Sequence, residues 1–124
     1  VGTVTASGAG GVTIAATYTV TVASYLGYNK YYIDGVRQDT VSLSEGSTYR
    51  FDQSDSSNSG HPLRFSTTSG GTHSGGSEYT TGVTSSGTPG SSGAYTQITV
   101  ASGAPTLYYY CTNHSGMGGQ ANTP

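Results

Sequence analysis

The most regular stretch of the chain alternates with a period of two. Val12, Ile14, Ala16, Tyr18, Val20 and Val22 are separated by Thr13, Ala15, Thr17, Thr19 and Thr21. An extended backbone puts the first set on one face and the mostly polar second set on the other. No segment carries a comparable 3.6-residue period, and β-branched and aromatic residues fill the periodic segments. The pattern predicts further strands at residues 30–36, 40–43, 48–53, 62–67, 94–100 and 106–111. Asp34-Gly35 and Glu45-Gly46 read as tight turns, and residues 54–60 as a polar loop. Residues 69–93 form a long Gly/Ser/Thr-rich excursion with one short strand expected near 79–83. Many short strands with turns between them predict an all-β sandwich of about seven or eight strands in two sheets. Residues 1–29 read as an N-terminal strand and lead-in segment, and residues 30–124 as the core of the same single domain. Within the lead-in, residues 1–11 read as an added strand, a linker or a disordered stretch.

Phase along two of these strands brings distant residues together. His61, Leu63 and Phe65 share one side of their segment, and Leu107, Tyr109 and Cys111 share one side of theirs. If the apolar members face the core, His61 and Cys111 point inward at strand ends. Cys111 is the single cysteine, so an intrachain disulfide is excluded. A lone thiol can be a buried hydrophobe, a nucleophile, a metal ligand or half of an intermolecular bridge, and its neighbours decide among these. Those neighbours are Thr112-Asn113-His114-Ser115-Gly116-Met117-Gly118-Gly119, an imidazole and a thioether set among small residues able to curl around one point. A soft thiolate with imidazoles suits copper, and two histidines, one cysteine and a weak axial methionine describe a blue-copper site. The run supplies one histidine, and His61 is placed to supply the second.

The closing Cys-x2-His-x2-Met resembles the ligand loop of the cupredoxins, with the short spacing of amicyanin-like members. Glu45-Gly46-Ser47-Thr48-Tyr49-Arg50-Phe51 is similar to the turn and strand before the first ligand in that family. His61-Pro62-Leu63-Arg64-Phe65 resembles the first ligand and the strand after it. The resemblance covers residues 30–119. It implies a Greek-key sandwich holding one copper ion at one end through His61, Cys111, His114 and Met117, with one-electron transfer between Cu(I) and Cu(II). Other cupredoxins carry the axial methionine two residues later, where this chain has Gly119. Two further positions depart from the family. Pro62 stands where many members have an asparagine whose backbone N–H donates to the cysteine sulfur, and Asn113 stands where many have proline. Hydrogen bonds to the sulfur tune the potential, so these two changes are expected to push it in opposite directions.

Composition limits the remaining classes. With 124 residues, 8% of them charged and a net charge of -2, the chain has no basic face for nucleic acid or anionic lipid. Its four cations, Lys30, Arg37, Arg50 and Arg64, are scattered. No stretch is long and apolar enough for a membrane helix. The Ser/Thr/Gly-rich, weakly charged surface suggests an extracellular, periplasmic or virion-exposed setting. The chain starts at Val1, as expected of a processed chain or an excised piece. The six acids show no paired spacing for acid–base work, and Cys111 with His114 lacks an oxyanion or substrate-orienting feature, so no enzymatic role is expected. A structural zinc site on the same residues is disfavoured by the thioether. His73, in the Gly/Ser-rich excursion, reads as surface decoration. Asn113-His114-Ser115 matches a glycosylation sequon but would set a glycan against the ligand loop. Tyr108, Tyr109 and Tyr110 read as sandwich packing. The partner expected is a redox protein. In the alternative, the domain is a copper-binding or non-redox structural or attachment module of a larger cell-surface or phage-type virion protein, and the parent polypeptide is the partner.

Overall fold

The structure, a computed structural model, describes residues 4–5 and 12–124. Expectations for residues 1–3 and 6–11 lie outside the described residues. The described strands are β1 (Val4–Thr5), β2 (Val12–Tyr25), β3 (Tyr28–Ile33), β4 (Val36–Arg37), β5 (Val41–Ser42), β6 (Thr48–Asp52), β7 (Leu63–Ser66), β8 (Glu78–Tyr79), β9 (Val83–Ser86), β10 (Tyr95–Thr99), β11 (Leu107–Cys111) and β12 (His114–Asn122). Eight of these have four or more residues and the other four are two-residue pairings; the strand expected at 40–43 pairs only over Val41–Ser42, and β12 is not among the expected strands. Two short 3-10 turns, Ser56–Asn58 and Gly71–Ser74, interrupt the loops.

The strands form two sheets. One runs β4-β3-β2-β6-β10-β9, with β1 also against β2, and the other runs β5-β12-β11-β7-β8. Both are mixed: β2 pairs parallel with β6 and β5 pairs parallel with β12, while the remaining ladders are antiparallel. The alternating run at 12–22 thus lies inside the larger sheet, between β3 and β6. Its Ile14 and Val20 are buried while Thr13, Thr17 and Thr19 are exposed, as the period-two reading requires.

The core lies between the two sheets. Val20, Tyr31, Ile33, Phe51 and Ile98 from one face meet Leu63, Phe65, Leu107, Tyr109 and Ala121 from the other. Phe51 and Phe65 pack edge to face across the interface, with ring centroids 5.4 Å apart. Asp34 and Gly35 both take positive φ at the β3–β4 turn, the conformation a two-residue hairpin asks of such a pair.

Two segments differ from expectation. The stretch expected to carry one strand near 79–83 carries two, β8 and β9, which join different sheets. The run after Cys111 is not a loop but a two-residue turn, Thr112-Asn113, followed by the nine-residue β12. Glycine is a weak strand former, and tertiary packing overrides that preference here. A Cβ on Gly118 would overlap the Tyr109 carbonyl, and one on Gly119 would crowd the Gln38 carbonyl and the Tyr109 hydroxyl. The glycines let β12 lie this close to β11.

Candidate metal centre

The second sheet brings three predicted residues to one point. Cys111, the last residue of β11, pairs with Leu63 of β7 on one side and His114 of β12 on the other. His61 lies two residues before Leu63, on the same inward phase, in the segment that leads into β7. The Cys111 sulfur is 3.7 Å from Nδ1 of His61 and 3.7 Å from Nδ1 of His114. The two rings have centroids 4.8 Å apart, and one ligand atom from each of the three residues lies within 4.8 Å of the others.

Those separations suit a shared ion. With bonds of roughly 2.3 Å to sulfur and 2.05 Å to nitrogen, an S–metal–N angle of 109° gives about 3.5 Å between donors and one of 120° about 3.8 Å. The observed 3.7 Å falls between tetrahedral and trigonal for both imidazoles. A neutral thiol has one hydrogen and can satisfy one ring nitrogen only. A cation satisfies all three donors at once.

Burial is graded across the site. Cys111 is 0% and His61 9% exposed, while His114 lies at the surface. Burial, and then the neighbouring His114, hold the His61 pKa below its ordinary value, so the ring is neutral, the ligating form, at neutral pH. His114 and Ser115 line a shallow surface hollow with Gly27, Tyr28 and Asn29 of the β2–β3 turn region. Met117 on β12 is 1% exposed and belongs to the same buried cluster as Cys111 and Leu63.

The site is held by residues the sequence did not single out. The His61 carbonyl accepts from Gln53 Nε2 at 2.7 Å and from the Tyr31 hydroxyl at 2.6 Å. Gln53 Oε1 accepts from the Leu63 N–H at 2.9 Å, and Gln53 Nε2 also donates to Asn58 Oδ1 at 3.0 Å. Asn58 in turn donates to the Val20 carbonyl, and its own carbonyl accepts from the His61 N–H. One glutamine thereby grips the backbone on both sides of Pro62, the residue that has no N–H to offer. Burial, and secondarily Cys111, raise the Tyr31 pKa, so its hydroxyl stays a donor. Gln53 carried a signal: it continues the inward phase of Tyr49 and Phe51, where an amide needs buried partners.

The turn between the other two donors is tied down from outside. Asn113 Nδ2 donates to the Gly60 carbonyl at 2.9 Å, joining the Cys111–His114 turn to the residue before His61. Lys30 Nζ donates to the Gly116 carbonyl at 2.8 Å, and Gln38 Nε2 to the Gly118 carbonyl at 2.8 Å. His73 departs from its expected role. It is exposed, yet its Nε2 lies 2.7 Å from the Cys111 carbonyl oxygen. Sequence gave no signal for that contact, because nothing local relates residues 38 positions apart.

Comparison of the chain with protein-family models, with curated proteins and with solved structures finds no match. The site is therefore read from its own chemistry: a His/Cys/His group able to hold a metal ion at one end of an all-β sandwich.

Proposed function

We propose that the protein binds one copper ion through His61, Cys111 and His114, with Met117 as the weak axial ligand, and serves in one-electron transfer. The observation that carries the reading is the placement of two imidazole Nδ1 atoms, each 3.7 Å from a fully buried cysteine sulfur. One thiolate and two imidazoles form the strong trigonal set of a blue-copper site, and a buried thioether in the same cluster suits the long fourth position. The arrangement agrees with the resemblance to cupredoxins carried by Cys111-x2-His114-x2-Met117 and by His61. A bound copper ion would supply the Cu(II)/Cu(I) couple.

The protein's own contribution is rigidity and access. Gln53, Tyr31 and Asn58 fix the backbone that presents His61, and the β11–β12 pairing fixes Cys111 and His114. Donors locked in this way change position little with oxidation state, which lowers the reorganisation that electron exchange requires. His114 is the exposed edge. The residues around it on β12 are small, but Tyr28 (72% exposed) of the adjoining hairpin lines the same hollow, and Leu26 is also exposed on that turn. An exposed aromatic beside the accessible imidazole is the feature of this surface that supports a transient redox partner.

Copper(II) added to the thiol-reduced protein should produce an intense absorption near roughly 600 nm from the thiolate–copper bond, bleached reversibly by a mild reductant. Cys111→Ser should abolish the band. Fast electron exchange with a small redox protein supports the transfer role. Copper uptake without exchange would instead favour a copper-binding module of a larger surface or virion protein. A metal-bound spectrum lacking any sulfur-to-metal band refutes the ligand set.

A further inference from the structure

We infer that His73 is a positioning residue for the metal centre, acting through the backbone of Cys111. This rests on the metal reading above but adds to it a residue outside the donor set and assigns a role to the Gly/Ser-rich excursion.

The contact has one chemical sense. A carbonyl oxygen only accepts, so His73 Nε2, 2.7 Å away, must carry the hydrogen and donate. Cys111 is the terminal residue of β11. Beyond it, pairing toward β7 continues only through the Thr112 N–H to the Pro62 carbonyl at 3.2 Å. The donated hydrogen bond therefore falls where the ladder gives out, on the peptide joining the sulfur-bearing residue to the turn that carries His114.

The segment that delivers His73 is built to dock there. Thr68 Oγ1 donates to the Gly71 carbonyl at 3.0 Å, the Gly71 N–H donates to the Thr68 carbonyl at 3.0 Å, and the His73 N–H donates to the Gly70 carbonyl at 3.1 Å. These bonds close the chain into the short turn Gly71–Ser74. Gly71 has φ +59°, and a Cβ on it would run into the Tyr110 ring. The glycine backbone is thus laid on Tyr110, the neighbour of Cys111. The His73 ring meets the same tyrosine edge to face, with centroids 6.2 Å apart and planes at 85°. A left-handed glycine, an aromatic edge contact and a directed hydrogen bond all converge on residues 110 and 111. A decorative surface histidine would need none of the three.

The test compares His73→Phe, which keeps an aromatic ring and removes the donor, with His73→Gln, which restores an N–H donor. Nitrogen-15 NMR of the metal-free native protein at neutral pH should show His73 with its hydrogen on Nε2. In the metal-free protein, His73→Phe should speed the reaction of the Cys111 thiol with an aromatic disulfide reagent several-fold, and His73→Gln should return it toward the native rate. With copper(II), His73→Phe should weaken binding by about 10- to 100-fold, the usual effect of losing a group that orients a ligand. Its thermal unfolding should change little. A bare Nε2, with the only ring hydrogen on Nδ1, overturns the inference, as does a thiol rate in His73→Phe equal to the native one. If native protein takes up no copper, the copper reading fails while the two metal-free measurements still decide the role of His73.

Discussion

Gln53 offers the sharpest test of how the site is held. It is 1% exposed and makes three hydrogen bonds, to Asn58 Oδ1, to the His61 carbonyl and from the Leu63 N–H. Gln53→Leu keeps most of the volume and deletes all three. The His61 carbonyl retains the Tyr31 hydroxyl, but the Leu63 N–H and Asn58 Oδ1 lose the partner they have. A buried orphan of this kind costs about 1–3 kcal/mol, so two give about 2–5 kcal/mol after some return from the added apolar contact. For a chain of this length that lowers Tm by roughly 10 °C or more. Tyr31→Phe is the control: it removes one donor from a carbonyl that keeps another, at about 0.5–1.5 kcal/mol. Urea unfolding of the metal-free variants, followed by tyrosine fluorescence, measures both. Copper competition against a chelator should in addition show affinity reduced by about 10- to 100-fold in Gln53→Leu, since the His61 backbone is no longer gripped from this side. If Gln53→Leu unfolds within about 1 kcal/mol of the native protein, or is milder than Tyr31→Phe, the network does not hold the site as described.

Gly118→Ala should cost about 3 kcal/mol or more, because its Cβ would strike the Tyr109 backbone, whereas Gly116→Ala meets only the Lys30 Nζ at 3.8 Å and bears mainly the left-handed backbone cost of about 1–2 kcal/mol; paired thermal melts check the difference. Met117→Leu conserves volume and should lower stability by less than about 1.5 kcal/mol, yet it should shift the reduction potential and the visible spectrum of the copper-loaded protein. An unchanged potential would remove Met117 from the ligand set. Acidification tests His61: its folded pKa lies below the unfolded value of 6.5, so the unfolded chain binds more protons in that window. Stability of the metal-free protein should be full above pH 6.5 and fall as pH drops through the folded pKa, and His61→Phe should flatten that fall in urea melts taken at pH 7.5 and 5. Asp55 also has a lowered pKa, through Ser57, but its effect belongs below pH 3.8 and leaves this window clear.

Much of the fold was legible because it depends on period-two patterning. Inward phase predicted the burial of His61, Leu63 and Phe65 and of Leu107, Tyr109 and Cys111, and with it the meeting of a histidine and a cysteine. The strand at 114–122 was hidden because its glycines read locally as loop; what makes them strand residues is the close approach of Tyr109 and Gln38, which no local window contains. Tyr110 breaks the alternation for a related reason. It is buried although it points away from Tyr109 and Cys111, because the turn at Gly71–Ser74 covers that face of β11. The supporting hydrogen bonds were legible only in part. An amide on an apolar phase flags Gln53 as needing partners, but the identity of those partners, and the contact from His73, arise from tertiary placement alone.

The separation of the donors along the chain sets an order of events. Cys111 and His114 are three residues apart and meet whenever the hairpin forms, but His61 is fifty residues from the cysteine. Closing a loop of that length costs about 3–4 kcal/mol of chain entropy, and that contact waits on the pairing of β7 with β11. A cation arriving early would find two donors and a loose grip. One arriving after the sheet has zipped would find all three. The colour of the loaded protein should therefore appear late in refolding, as a gauge that the most distant strands have joined.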